Sequence, residues 1–439
     1  MIDTKALRSR ILDLAIRGKL TKQLAGEKVE TESITILVNS PYSIPNNWRW
    51  TTIQSIISKD VGGGTPSKSV ADYWNNGVIP WMSVKDFSSA KNGFLNDTID
   101  HITQAGLDNS SSNLVDENSI IICMRMALGK IVKIKKPMAI NQDLRAIWLK
   151  HFIDNDYFVY FYSTLKVEGH GMTVSGISKK QLMNYPFPLP PLAEQKRIVE
   201  RVEEIFRLLD AIDEAQEKYS ADSQILKAKL ITAGIQGKLT KQLPSDGTAE
   251  ELYQQIQAEK QKLIKEGKIK KEKPLPAIKD EEIPFEIPGN WKWCRLGEIS
   301  NTIWAGRDKP NDFTEEADEL RSVPVVANGV ANDGILGYTG TATAPANTIT
   351  VAGRGTIGFS VFRTYEYCPI VRLVVIEQAQ QIEPRYLQYY LKLVPATSVG
   401  SSIPQLTVPM IRPKLVPLPP LAEQKRIVEV LERVMGTIH

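Results

Sequence analysis

Apolar residues between Ile198 and Leu230 recur in alternating steps of four and three: Ile198, Val202, Ile205, Leu209, Ile212, Tyr219, Leu226 and Leu230. This is the heptad spacing of a coiled-coil seam, weakened locally where Gln216 and Ser223 occupy seam positions. Pro190 and Pro191 suit the start of a helix, and Gly234 and Gly237 its close. From Ala193 to Ile231 such a helix would run about 58 Å at ~1.5 Å per residue. Ile427, Leu431 and Val434 begin the same seam again, and Leu7 and Ile11 align with Leu226 and Leu230. The two chain ends together rebuild in two pieces what the central helix is in one. Each stripe needs a partner, so the pattern predicts that the central helix pairs antiparallel with both terminal segments. The alternative is a set of unrelated amphipathic helices, each packed on its own domain. Thr248–Lys273 is charged and helix-favouring, with lysines crowding its end; it reads as a solvated helix and spacer, or as a surface for DNA phosphate or a partner subunit. The aromatic run Tyr157–Tyr162 sits at helical spacing and reads as core rather than a base-stacking platform.

The chain also repeats itself. PLPPLAEQKRIVE runs from Pro188 to Glu200 and returns from Pro417 to Glu429; GKLTKQL occupies Gly18–Leu24 and Gly237–Leu243; IPNNWRW at Ile44–Trp50 is answered by IPGNWKW at Ile287–Trp293. Each half has the same order, with a variable stretch (Thr51–Phe187, then Cys294–Val416) ahead of its PLPPL motif. At the spacing set by the PLPPL repeats, Arg125 matches Arg354 and Gly129 matches Gly358, and the aromatic run Tyr157–Tyr162 faces Arg385–Tyr390. Two domains of one architecture have diverged while their connectors stayed almost identical.

Composition narrows the function. The 439 residues suffice for two or three domains, and a 42% hydrophobic fraction supports real cores. A net charge of +4 is mildly basic and compatible with a nucleic-acid partner. Cys123, Cys294 and Cys368 lie far apart, and His101, His151, His170 and His439 are scattered, which argues against a disulfide framework or a zinc site. Asp13, Arg17 and Lys19 interrupt the apolar stretches of the first segment, unlike a signal peptide, and no apolar run approaches the ~20 residues of a membrane span. The expected location is the cytoplasm. There is no NPPY tetrapeptide; GIQGKLTK has the wrong glycine spacing for a phosphate loop, and VGGGTPSK opens no GxGxxG helix. Glu194–Gln195–Lys196 has the carboxylate–x–Lys form of a nuclease motif but lacks a suitable preceding acid, and it recurs as Glu423–Lys425 at a helix start, which assigns it to structure.

The doubled LPPLAEQKRIVE, the GKLTKQL segments and the I-P-x-N-W-x-W tryptophans resemble those of type I restriction–modification specificity subunits, over essentially the whole chain. The resemblance implies a non-catalytic subunit with two target recognition domains. Each would read one half of a bipartite double-stranded DNA target, with helices setting the spacing. It implies an α+β fold: two α/β domains separated and joined by long antiparallel coiled-coil helices, in a pseudo-two-fold, circularly permuted arrangement. The segments would be a helical piece (1–44), a first recognition domain (45–187), a spacer helix (188–243), a Lys-rich helical linker (244–283), a second recognition domain (284–416) and a distal helix (417–439). It implies two modification subunits, which use S-adenosylmethionine and methylate adenine, and two restriction subunits, which use ATP and Mg, with no cofactor in this chain. The short distal seam leaves open whether the N-terminal segment completes the symmetry or the distal end is truncated. A helical scaffold that has lost sequence-specific DNA binding is the alternative.

A DNA reader needs phosphate clamps to position it and base-edge contacts to specify. In the first variable stretch, Gly62–Lys68 reads as a flexible loop able to approach phosphate, with Thr65, Ser67 and Lys68 donating. Arg307 and Lys309 take that place in the second. Lys85 with Asp86 reads as a groove contact, and Asn328 stands in the corresponding stretch. Arg125 and Arg354 share a position beside a glycine-bearing turn, which favours phosphate, with a structural ion pair as the other reading. Lys179 and Lys180 are further phosphate candidates. Inserting one heptad between Ile212 and Tyr219 keeps the seam phase and should add about 10 Å of helix. Methylation mapping should then find both half-sites intact and more base pairs between them; an unchanged gap would remove the helix as the ruler.

Overall fold

The computed structural model describes all residues except 31–33, 39–40, 91–92, 118, 170–175, 394–404 and 439, so that His170 and His439 lie outside the described residues. The chain divides into two units, Met1–Glu217 and Lys218–His439, and helix Leu192–Ile235 carries it from one to the other.

Both units use one plan. In the first, alternating apolar strands form a five-stranded sheet in the order Ile57–Gly62, Leu144–Leu149, Ile120–Cys123, Ile131–Ile134, Phe94–Leu95. A second sheet sets Asp100–Ile102, Ile79–Met82, Met138–Ile140 and Asn113–Val115 side by side. In the second unit the corresponding sheets run Ser300–Ala305, Val374–Gln378, Thr348–Val351, Ser360–Arg363, and Ile335–Thr339, Val323–Val326, Cys368–Pro369. Ile120 and Ile122 face one core cluster while Ile121 and Cys123 face another, and all four are buried, so this central strand is covered on both faces.

The repeated motifs converge at the base of each unit. Strand Pro186–Leu189 pairs antiparallel with Arg49–Thr52, and Leu415–Leu418 with Lys292–Arg295, so each PLPPL closes a ribbon with the strand that follows the tryptophan motif. Glu194, fully buried, then accepts the Trp48 indole N–H at 2.9 Å, the Gln23 amide at 2.9 Å and the Thr21 hydroxyl at 3.3 Å. Glu423 accepts the same set in the second unit: Trp291 at 2.9 Å, Gln242 at 2.9 Å and Thr240 at 3.0 Å. Both carboxylates sit in the first turn of their helix, where the positive end of the macrodipole favours them. The neighbouring arginines are engaged elsewhere, Arg197 forked onto Glu27 and Arg426 onto Asp246, and hold both of those carboxyls below the usual carboxylate range. Gln195 and Gln424 fasten the heads by accepting the backbone N–H of Asp154 at 2.8 Å and of Glu383 at 2.9 Å. Gly18 and Gly237 take φ of +67° and +71°, and a Cβ on either would lie 2.3 Å and 2.4 Å from Pro45 and Pro288, which explains the glycine that opens each GKLTKQL.

The helices pair as the seam predicts, each within its unit. Helix Thr4–Ile16 runs antiparallel to the central helix: Thr4 bonds Asp213 at 2.6 Å, Arg8 reaches Asp210 at 2.7 Å, and Ala15 and Ile16 join Ile198 and Val202 in one core. Helix Leu421–Gly436 runs antiparallel to the later part, packing Ile427 and Leu431 on Ile231 and Ile235. The seam is not continuous. Tyr219 and Leu226 are 51% and 46% exposed and lie outside the cluster that packs on the 16-residue distal helix. Gln216 bonds both the N–H and the carbonyl of Ile2, so a polar seam residue serves as a stop for the first helix. The lysine-rich segment forms helix Ala249–Lys265, and it is more than a solvated spacer. Ala249, Leu252 and Ile256 enter the core of the second unit, and the half-buried Lys260 ammonium caps the Gly297 and Ser300 carbonyls at 2.6 Å. The aromatic helix Asn155–Thr164 is core: Tyr157, Phe158, Phe161 and Tyr162 are buried.

Removing either buried carboxylate strands an indole N–H. Glu194→Ala and Glu423→Ala should each cost roughly 2–4 kcal/mol of stability, read as a drop in the denaturant midpoint. An effect within the error of the measurement would mean the network contributes little.

Candidate nucleic-acid interface

The glycine-rich stretch of the first unit differs from the expected phosphate-approaching loop. A Cβ on Gly63 would lie 2.0 Å from the Ile140 carbonyl oxygen, and one on Gly64 2.0 Å from Ser111 Oγ, so these glycines admit the chain's own backbone. The Gly64 carbonyl accepts the Trp81 indole at 3.1 Å and the Ser112 hydroxyl at 2.7 Å. Beyond them Thr65 donates to Gln142, Ser67 bonds Ser69 at 2.8 Å, and Lys68 stands exposed. Asp86 is not available to a groove: it is buried, accepting the Ser83 N–H at 2.7 Å and the Ile99 N–H at 2.8 Å, and only its neighbour Lys85 is exposed.

Several cations of the first head are already paired with carboxylates. Arg125 pairs with Asp143 at 2.7 Å. Asp60 receives Arg145 and also Lys179 at 2.9 Å, and Lys133 pairs with Asp156. Lys180, in the first turn of the short helix Lys179–Met183, is exposed.

The second head is arranged differently. Arg307 and Lys309 are exposed, with Lys309 seated over the Phe313 ring at 3.4 Å. Arg307 is stitched by backbone bonds to the Pro369–Val371 turn. Asn328 is spent on structure. Its Nδ2 donates to the Val371 carbonyl at 2.9 Å and its Oδ1 accepts the Gly353 N–H at 2.7 Å, so it positions two turns instead of reading a base. Arg354 follows the second of these turns, is exposed, and has no ion-pair or side-chain hydrogen-bond partner among the described residues. Arg307, Asn328 and Arg354 thus gather around one turn, and Arg372 completes the group. Neither Arg372 nor the Gln142–Asp143 pair is evident as a site from local composition. Asp143 and Arg372 stand at the same spacing as the PLPPL repeats and as Arg125 and Arg354, which is the signal that finds them.

Buried Cys123, Cys294 and Cys368 are free, and among the described residues no His/Cys/Asp/Glu group is placed to hold a metal ion. No described helix is long and apolar enough to cross a membrane.

Known proteins match this arrangement. The type I restriction modification DNA specificity domain matches residues 45–219 and 288–439. The EcoAI type I restriction enzyme specificity subunit of Escherichia coli is 27% identical over 413 residues, covering 75% of this chain and 68% of the relative. The EcoEI specificity subunit of Escherichia coli is 25% identical over 386 residues, 69% of this chain and 63% of the relative. A solved structure, described as the structural basis of complex assembly and conformational transition of the type I R-M system, shares the fold with a TM-score of 0.63 at 18% identity, covering 91% of this chain and 92% of that one.

An exposed cation adds to the salt dependence of DNA binding, whereas an ion-paired one has first to exchange its carboxylate. Arg354→Ala should therefore shallow the log K against log [salt] slope by about 1, and Arg125→Ala by less. Equal slopes for both variants would show that the Asp143 pair does not restrain Arg125.

Proposed function

The chain belongs to the type I restriction modification DNA specificity family, and from that premise we propose that its two units read the two halves of a bipartite DNA target without carrying out chemistry themselves. The observation that carries this reading is the contrast within one chain. Two identical buried clasps hold two heads of the same plan, and the heads differ in charge at matched positions. Identical frames with unlike surfaces are what two half-sites of different sequence require. Modification subunits carrying S-adenosylmethionine would dock on the helical frame and methylate adenine. Restriction subunits using ATP and Mg would complete the endonuclease, with two copies of each around one specificity chain in the cytoplasm.

The test is domain exchange. Replacing residues 51–187 with the first variable domain of another family member, in the assembled complex, should change one half of the methylated motif and leave the other intact. If both halves change together, the heads are not independent readers. If the parent complex shifts no duplex DNA in a mobility assay, the chain acts as a scaffold that has lost recognition.

A further inference from the structure

One turn holds the same place in both heads by its flanking hydrogen bonds, without reference to side-chain similarity, although Val371 and Arg372 take a left-handed φ that Gln142 and Asp143 do not. Asn141 N–H donates to the Met82 carbonyl at 3.0 Å, and Ile370 N–H to Val326 at 2.8 Å. Leu144 N–H closes on Asn141 at 3.2 Å, and Leu373 N–H on Ile370 at 3.1 Å. Across the sheet, Ile177 N–H meets the Met124 carbonyl at 2.9 Å, and Leu406 N–H meets Gly353 at 2.8 Å. The strand registers agree: Arg145 faces Ile122 as Val374 faces Val351. Arg354 is therefore the counterpart of Arg125, and Arg372 the counterpart of Asp143.

In the first head the Asp143 side chain, only 13% exposed, neutralises Arg125. In the second head the acid has become a second cation. Arg354 and Arg372 are both exposed, neither has an ion-pair or side-chain hydrogen-bond partner among the described residues, and residues 394–404 contain no Asp or Glu. The tip is also strained. Val371 and Arg372 take φ of 54° and 59°, a region that costs free energy for any side chain and most for a β-branched one. Burial does not offset it, since Val371 is 47% exposed. The conformation is imposed from outside, by Val371 N–H on the Arg307 carbonyl at 2.9 Å and by Asn328 on the Val371 carbonyl. Asn328 also fixes Gly353, so one amide ties the turn of Arg354 to the turn of Arg372. A strained, outward turn carrying uncompensated charge, held by a dedicated side chain, is built to meet a partner rich in acceptors.

Resting on the specificity-subunit reading above, we propose that Arg372 is a base-reading residue of the second head, donating its guanidinium fork to the O6 and N7 acceptors of a guanine in that half-site, while Arg354 clamps a phosphate. A phosphate contact carries no sequence information and serves both heads alike, as an arginine common to both does. A position that reverses sign between heads cannot serve a shared contact, and the arginine fork matches guanine's paired major-groove acceptors.

The experiment maps methylated adenines in cells expressing the complete complex, for the parent and three variants. Arg372→Ala should relax one guanine in the half-site of the second head, lowering discrimination there by about 5- to 150-fold, with the other half-site intact. Arg354→Ala should lower methylation at all sites with the motif unchanged. Arg372→Asp restores the acid of the first head opposite Arg354; it should keep the melting temperature and lose the same guanine. An unchanged motif in Arg372→Ala, whether at full or uniformly reduced yield, overturns the inference and leaves the specificity reading standing. A parent complex that methylates no defined sequence overturns that reading, and this inference with it.

Discussion

Two carboxylates buried without a charged partner of their own hold this chain in shape. Glu194 and Glu423 are each fully buried and satisfied by an indole, an amide and a hydroxyl at the positive end of a helix. A buried carboxyl group in such a place is tolerated only when nearly every lone pair is met, so every donor around it is constrained at once. That constraint reaches across the sequence: the donors to Glu194 come from residues 21, 23 and 48. It gives a physical reason for the near-verbatim repetition of three separated motifs. Changing the tryptophan, the glutamine or the glutamate alone leaves a buried group unmatched, and the cost of that is larger than the gain from the bond itself.

Once each base is pinned, the head above it is released from that constraint. The strand pairings that carry the heads are backbone bonds, which accept any side chain that suits its face. The matched turn can therefore carry Gln142–Asp143 in one unit and Val371–Arg372 in the other. The same freedom extends inward. Arg363 is buried in the second unit without a carboxylate, donating to Thr350, Tyr365 and the Asp333 carbonyl. Asp333 and Asn332 take left-handed φ of 49° and 48°, so a buried cation supports an irregular turn there. Strain in this unit collects in its turns and loops, away from the clasp that repeats unchanged.

The repeat, the helical partners and the aromatic core were legible in the sequence because they rest on periodicity and identity, which are local or self-referential signals. Tyr219 and Leu226 fall on the seam in sequence yet are half exposed, because periodicity states what a helix offers, not which of its positions a partner covers. Gly63 and Gly64 looked like a phosphate loop because glycine admits either a ligand or the chain's own backbone, and only the fold shows Ile140 and Ser111 in the space. Asp86 and, in the corresponding stretch, Asn328 stand as DNA-contact candidates in the sequence for a related reason: the backbone partners that consume their polar atoms, Ile99, Val371 and Gly353, are distant in sequence. Glu194 reads as structural in the sequence, yet a helix-start glutamate gives no hint of which indole it meets.

Charge bookkeeping links the fold to discrimination. Sequence-independent affinity for DNA grows with the number of cations free to displace counterions, whereas specificity depends on how few contacts are shared by all sequences. In the first head Arg125, Lys133, Arg145 and Lys179 are held by Asp143, Asp156 and Asp60, which keeps them out of the non-specific count. With a net charge of only +4 over the whole chain, indiscriminate attraction is small from the outset. With paired cations and a small net charge, sequence-independent attraction contributes less, so that outward-facing groups on strained turns can decide where such a reader stays.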